Sequence, residues 1–181
     1  MRRYAYGVCM KYIFLILTFL STSAFSIEWA DEDCGQWNAY EGKVFSLDIG
    51  TSFHGSALFK LCKSETQNFI SILTTQRSRK DEANEIVETT TRKHIEISKE
   101  EYEKIFKLYE VALQYNTLDK SSGTDGSNWC IESQRSFTYT KACFWTPSYN
   151  SEQRGLKGLY DLGSYLWEFT SLSKNKEMRL Y

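Results

Sequence analysis

Cys130 and Cys143 stand at equal distances from Ser136-Phe137, and this symmetry constrains the chain more than any other feature. The flanking segments, Asn128–Gln134 and Tyr139–Trp145, read as strands. A two-residue turn at Ser136-Phe137 opposes Cys130 to Cys143, Glu132 to Lys141 and Gln134 to Tyr139. The same register opposes Trp129 to Phe144 and Ile131 to Ala142. Side chains alternate along a strand, so one register fixes both faces. One face then carries Trp129, Ile131, Ala142 and Phe144. The other carries a disulfide, an ion pair and the Tyr139 hydroxyl. Ser-Phe lacks the Asn or Gly that a type I′ turn favours; a four-residue loop keeps the same register.

A disulfide needs an oxidising compartment, and the first 26 residues supply the route to one. Arg2, Arg3 and Lys11 accompany an apolar run, Tyr12–Leu20, broken only by Thr18. Ser21–Ser26 follows as a small-residue region. This is the pattern of a secretory signal peptide cut after Ser26, with Ala24 as the second position. The run falls short of the roughly 20 apolar residues a spanning helix needs. The expectation is therefore a periplasmic or secreted protein with no stable membrane insertion after cleavage; an uncleaved anchor is the alternative. Met10-Lys11 would open a shorter signal of the same kind. Cys9 precedes the apolar run and offers no lipid-attachment position.

Without Cys9, four of the five cysteines remain: Cys34, Cys62, Cys130 and Cys143. Four cysteines allow three pairings. The hairpin register selects Cys130–Cys143 and leaves Cys34–Cys62, which would restrain the N-terminal stretch. No CxxC spacing occurs, and His54 and His94 stand alone, so neither a metal nor another cofactor is expected.

Residues 27–181 have the size of one domain, and the 41% hydrophobic and 25% charged residues of the whole chain argue against disorder. Removing Arg2, Arg3 and Lys11 leaves 19 basic residues against 23 acidic, a net charge of −4. A mildly acidic domain with no basic block is not expected to bind nucleic acid.

Ile27–Tyr40 is acidic and aromatic without a period. Lys43–Ile49, Ser56–Lys63, Gln67–Thr75 and Glu85–Ile97 read as strands, and Gln76–Asn84 as a solvated loop or hairpin tip. Ser98-Lys99-Glu100-Glu101 is a capping box. Behind it Tyr102, Ile105, Phe106, Tyr109, Ala112 and Leu113 recur at helical spacing. Glu100 with Lys104 and Glu103 with Lys107 add favourable pairs on the other face. Asn116–Ser127 is a long polar loop. Pro147 closes the second hairpin strand. A final helix is expected over Glu152–Leu172, and a polar tail over Ser173–Tyr181. Gly155, Gly158 and Gly163 each weaken that helix by about 1 kcal/mol relative to Ala, or allow close approach to the sheet. The expected class is α+β: an antiparallel sheet with one central and one C-terminal helix packed on one side, stapled by disulfides.

Asp125-Gly126-Ser127-Asn128-Trp129-Cys130-Ile131-Glu132, then Tyr139, Trp145-Thr146-Pro147 and the leucine-spaced end Leu156–Leu172 form a recurring arrangement. It resembles the DGxxWxxE…WxP…helix ending of some small exported bacterial proteins of unknown function. The resemblance covers the C-terminal third and implies the hairpin and helix; it implies no activity, cofactor or catalytic residue.

No G-x-S-x-G and no triad order can be read, so no catalytic residue is assigned. His94 reads as a surface histidine, and His54 as part of a turn. Asp125 and Glu132 offer two carboxylates of the kind glycosidases use, although the register gives Glu132 to Lys141. Asp119 and Asp125 lack the alternate ligands and closing Glu of a calcium loop. Aromatic residues amount to 15%, and Trp29, Trp37 and Trp145 are candidates for a binding surface. Stacking on the disulfide is the structural alternative for Trp145. These features point to an exported, non-enzymatic binding or inhibitor-type protein of the bacterial envelope. Its acidic, aromatic patch would meet a basic envelope or secreted protein. The alternatives are a carboxylate-dependent hydrolase of an envelope polymer and a structural envelope subunit.

Overall fold

The computed structural model describes residues 30–31, 33–36, 42–80, 85–135, 138–175, 178 and 180. The expected signal segment, Trp29, Trp37 and the Ser136-Phe137 turn lie outside these residues. The strands are β1 (Ala30–Asp31), β2 (Gly35–Gln36), β3 (Gly42–Thr51), β4 (Gly55–Lys63), β5 (Asn68–Lys80), β6 (Glu85–Ile97), β7 (Ser127–Arg135) and β8 (Thr138–Trp145). Helix α1 spans Lys99–Ala112, between β6 and β7, and α2 spans Lys157–Phe169 after β8. Strands β3 to β8 form one antiparallel sheet in the order β6-β5-β4-β3-β7-β8. The chain thus meanders outward from β3 to β6, crosses back through α1, and adds β7 on the other side of β3.

The alternation of each strand decides its faces. Phe45, Leu47 and Ile49 of β3 point one way with Phe59 and Leu61 of β4, Ile70 and Ile72 of β5, and Trp129 and Ile131 of β7, and all are buried. Both helices pack on this face. Tyr109 of α1 stacks on Phe45 at 4.6 Å between ring centroids, and its hydroxyl meets that of Ser133 on β7. Leu159, Leu162 and Leu166 of α2 are buried in the same core, and Trp167 meets Phe59 edge-on at 6.3 Å. Gly163 lets α2 lie directly on Trp129: a Cβ there would sit 2.1 Å from the indole Cζ3. Gly158 does the same between the helices, against the Val111 carbonyl at 2.7 Å.

The hairpin register is the one expected from the sequence, with Cys130 opposite Cys143, Glu132 opposite Lys141 and Trp129 opposite Phe144. Both expected bridges are formed, Cys34–Cys62 and Cys130–Cys143, with Cα separations of 5.2 and 4.0 Å. The capping box is complete: Ser98 Oγ accepts from the Glu101 amide at 3.2 Å, and the Glu101 carboxylate accepts from the Ser98 amide at 3.1 Å.

Several boundaries move. Of the stretch expected as a solvated loop or hairpin tip, Gln76–Lys80 is strand, and 81–84 lie outside the described residues. β5 runs on past the end of β4 and pairs with β6 as a two-stranded ribbon, braced by Arg77 and Glu88 at 2.9 Å. Charged residues fit there because both faces of the ribbon are wet. The last helix begins at Lys157 instead of Glu152, since Gly155 adopts φ +68° and ends a run of turns before it. The tail is not wholly polar in its setting, because Met178 is buried at 3% exposure. On α1 Lys99 pairs with Glu103 at 3.9 Å, while Lys104 lies over the Tyr165 ring at 4.4 Å.

Candidate functional site on the outer face of the sheet

No helix among the described residues covers the opposite face of the sheet, and most of its residues are polar. Register places Asp48 beside Cys130, and Ser46 between Lys60 and Glu132, with Lys141 beyond Glu132. Together with Lys43 and Leu58 they line a depression of about 240 Å³. Glu132 is its hub. The carboxylate accepts from Lys43 Nζ at 2.9 Å and from the Tyr139 hydroxyl at 2.9 Å, with Lys141 at 3.8 Å. Burial raises its affinity for a proton, but the bonds from Lys43 and Tyr139 and the charges of Lys43 and Lys141 outweigh this and hold it below the usual range.

Asp48 behaves oppositely. It is an exposed residue, and no described group hydrogen-bonds its carboxylate. Protein atoms on the sheet side still withdraw enough water for desolvation to raise its pKa, against the partial opposition of Lys141. The two carboxyls of one depression are thereby driven apart in proton affinity.

A second charged cluster lies beside it. The Asp33 side chain, almost fully covered, is ion-paired with Lys60 at 2.7 Å and Arg92 at 3.0 Å, with His94 Nε2 at 3.8 Å. The Cys34–Cys62 bridge next to it holds Asp33 over the sheet. Ser71, between Lys60 and His94 in register, is 1% exposed under this cover. His94 also leans on Phe69 at 5.5 Å between centroids.

The other residues singled out in the sequence fall elsewhere. Trp145 is half-buried at the end of the sheet. Its indole N–H donates to the Asp125 carbonyl at 2.9 Å, and Gly123 lies against the ring, where a Cβ would meet Cζ2 at 2.3 Å. His54 sits in the β3–β4 turn, its amide donating to Thr51 Oγ1 at 3.1 Å. Asp125 lies in the loop before β7. Ser127 to Glu132 alone spans about 17 Å of extended strand, so Asp125 and Glu132 cannot serve one bond. The carboxylate that accompanies Glu132 is Asp48, which the sequence reading passed over. Alternation in Leu47-Asp48-Ile49 marks Asp48 as outward-facing. Its neighbours depend on β7 lying beside β3, a contact between distant segments.

Gly126, Trp129, Trp145 and Thr146 from the recurring motif build one structural corner, joined through Ser127. Gly126 adopts φ +124°, and a Cβ would collide with Thr146 Oγ1 at 2.2 Å. Thr146 itself holds φ +37°, fixed by Ser127, whose amide donates to its hydroxyl at 3.0 Å. Glu132 alone among the strongly polar motif residues reaches the depression.

Among the described residues no group of His, Cys, Asp and Glu is arranged to hold a metal ion, and no helix is long and apolar enough to cross a membrane. No family model, curated protein or solved structure matches the chain.

Proposed function

We propose that the protein is an exported, non-enzymatic binding or inhibitor-type protein of the bacterial envelope that engages its partner through the outer face of the sheet. The carrying observation is the asymmetry of the sheet: both helices cover one face, and the depression around Glu132 and Asp48 is left on the other. Two disulfides fit a protein that works outside the reducing cytosol, periplasmic or secreted. They also hold the face in one shape, which lowers the ordering cost of association.

The partner is a basic envelope or secreted protein. Asp48 offers a carboxylate with no hydrogen bond from a described group, and residues 27–181 carry a net charge of −4 over 19 basic and 23 acidic residues. A lysine or arginine entering the depression supplies the missing donor. The test is retention of a component of envelope extract by the immobilised full-length protein, compared with the Asp48→Lys and Lys141→Glu variants. Retention by the parent, lost in Asp48→Lys and kept or strengthened in Lys141→Glu, supports the reading. Equal retention by all three, or none by the parent, rejects it.

One observation favours the hydrolase alternative. Asp48 and Glu132 share a depression and are driven apart in proton affinity, the division that acid and base roles require. Release of reducing ends from isolated cell-wall polymer, abolished in both Asp48→Asn and Glu132→Gln, would replace the binding reading.

A further inference from the structure

The two bridges have opposite surroundings. Cys62 is 0% exposed and lies under the Asp33 cluster, whereas Cys143 is an exposed residue on the edge strand β8. Cys130, its partner, lines the 240 Å³ depression with Lys141 and Asp48. The Asn128 side-chain amide donates to Cys130 Sγ at 3.4 Å.

We propose that Cys130–Cys143 is a thiol–disulfide exchange site at which an external thiolate attacks Cys143 and expels Cys130. This goes beyond the binding reading and does not depend on what the sheet face binds. Exchange needs approach to one sulfur and stabilisation of charge on the other. Cys143 offers the approach, open on the solvent side of β8. Cys130 has the leaving-group surroundings: the Asn128 N–H is already directed at its sulfur, and the Lys141 cation lies in the same depression.

The bonds balance without a further oxidant. The incoming thiolate sulfur bonds to Cys143 Sγ, the Sγ–Sγ bond breaks, and its electron pair leaves on Cys130, which takes a proton from water. A second external thiolate then attacks the external sulfur of the mixed disulfide and frees the Cys143 thiolate. Two thiols are oxidised to one disulfide, and the bridge is reduced to two thiols. The strands stay paired from Asn128 to Arg135 by the backbone ladder, so opening the bridge leaves the hairpin standing.

The experiment uses the full-length oxidised protein in native buffer with reduced glutathione, quenched by acid and alkylation and mapped by peptide mass. The expected result is a glutathione adduct on Cys143 and a free Cys130 while Cys34–Cys62 remains closed. Asn128→Ala slows formation of the adduct by about fivefold, the loss of one hydrogen bond to a developing charge. A short unstructured peptide with one cysteine serves as a second probe. Reaction with glutathione alone assigns the site to small thiols, and reaction with both assigns it to protein cysteines as well. The proposal is overturned by adducts on Cys130, by both bridges opening at one rate, or by opening that occurs only at denaturant concentrations that unfold the protein. Circular dichroism of each variant separates a slowed exchange from a lost fold.

Discussion

Arg154 and Asp119 form a covered two-pronged pair, Nε to Oδ1 at 3.1 Å and the second guanidinium nitrogen to Oδ2 at 2.8 Å. The remaining donors go to the carbonyls of Trp145, Thr146 and Tyr149 at 2.7 to 2.8 Å. One side chain therefore ties the loop after α1 to the corner between β8 and α2. Removing one partner leaves the other covered and uncompensated, which costs about 3 kcal/mol. Arg154→Ala is expected to lower stability by about that much in urea unfolding. Arg154→Lys should recover little, because a single ammonium cannot reach carboxylate and carbonyls together. A full rescue by lysine would show that charge alone matters.

The same pair sets an acid limit. The hydrogen bond from Arg154 is the main cause that lowers the Asp119 pKa to about 2 from its ordinary 3.8, aided by bonds from Ser121 and the Arg154 charge and opposed by desolvation. A depressed carboxyl stabilises the fold fully above its unfolded value and loses that contribution as pH falls through the folded one. Stability should therefore drop between about pH 4 and pH 2. Asp119→Asn should start lower and lose less over that window. Urea midpoints measured across it decide the matter; parallel curves for parent and variant would remove the assignment.

The parts of this fold that were legible in the sequence share a short range. The Cys130–Cys143 register follows from symmetry within one hairpin, and the Ser98–Glu101 cap from four residues. The second bridge followed by elimination. The depression was not legible, since Asp48, Lys60 and Glu132 come together only when β7 inserts beside β3. That placement is a property of chain crossing through α1, not of any local pattern. Arg154 was missed for a different reason: a lone arginine in a polar stretch carries no periodic signal, and its five acceptors are mostly backbone carbonyls. Within the β5–β6 ribbon Glu85–Ile97 is legible as strand, whereas Gln76–Lys80 reads as a solvated loop or hairpin tip because its charges suit water on both faces.

Gly163 tests close packing between α2 and the sheet. In an exposed helix, Gly→Ala gains about 1 kcal/mol of helix propensity. Here the added Cβ would fall 2.1 Å from Trp129 Cζ3, so one of two buried elements must move. Overpacking of this kind costs about 1 to 3 kcal/mol. Gly163→Ala should therefore be destabilising, with a changed Trp fluorescence spectrum. Gain of stability with an unaltered spectrum would mean that α2 does not rest on Trp129.

The two bridges are expected to contribute unequally. Their sequence separations are 28 for Cys34–Cys62 and 13 for Cys130–Cys143. On chain entropy alone the first is worth about 3.5 kcal/mol and the second about 3. The structure widens this gap. The shorter loop is already closed by a backbone ladder from Asn128 to Arg135, so the native hairpin keeps its shape when the sulfurs are removed. Loss of Cys34–Cys62 instead frees the segment that presses Asp33 onto Lys60 and Arg92, and leaves a small gap at the fully buried Cys62 position. Cys34→Ala with Cys62→Ala should lower the thermal midpoint more than Cys130→Ala with Cys143→Ala. High salt should narrow the difference by screening the exposed part of the Arg92 contact. Equal midpoints for the two double variants would mean that the Asp33 cluster adds nothing beyond the covalent link.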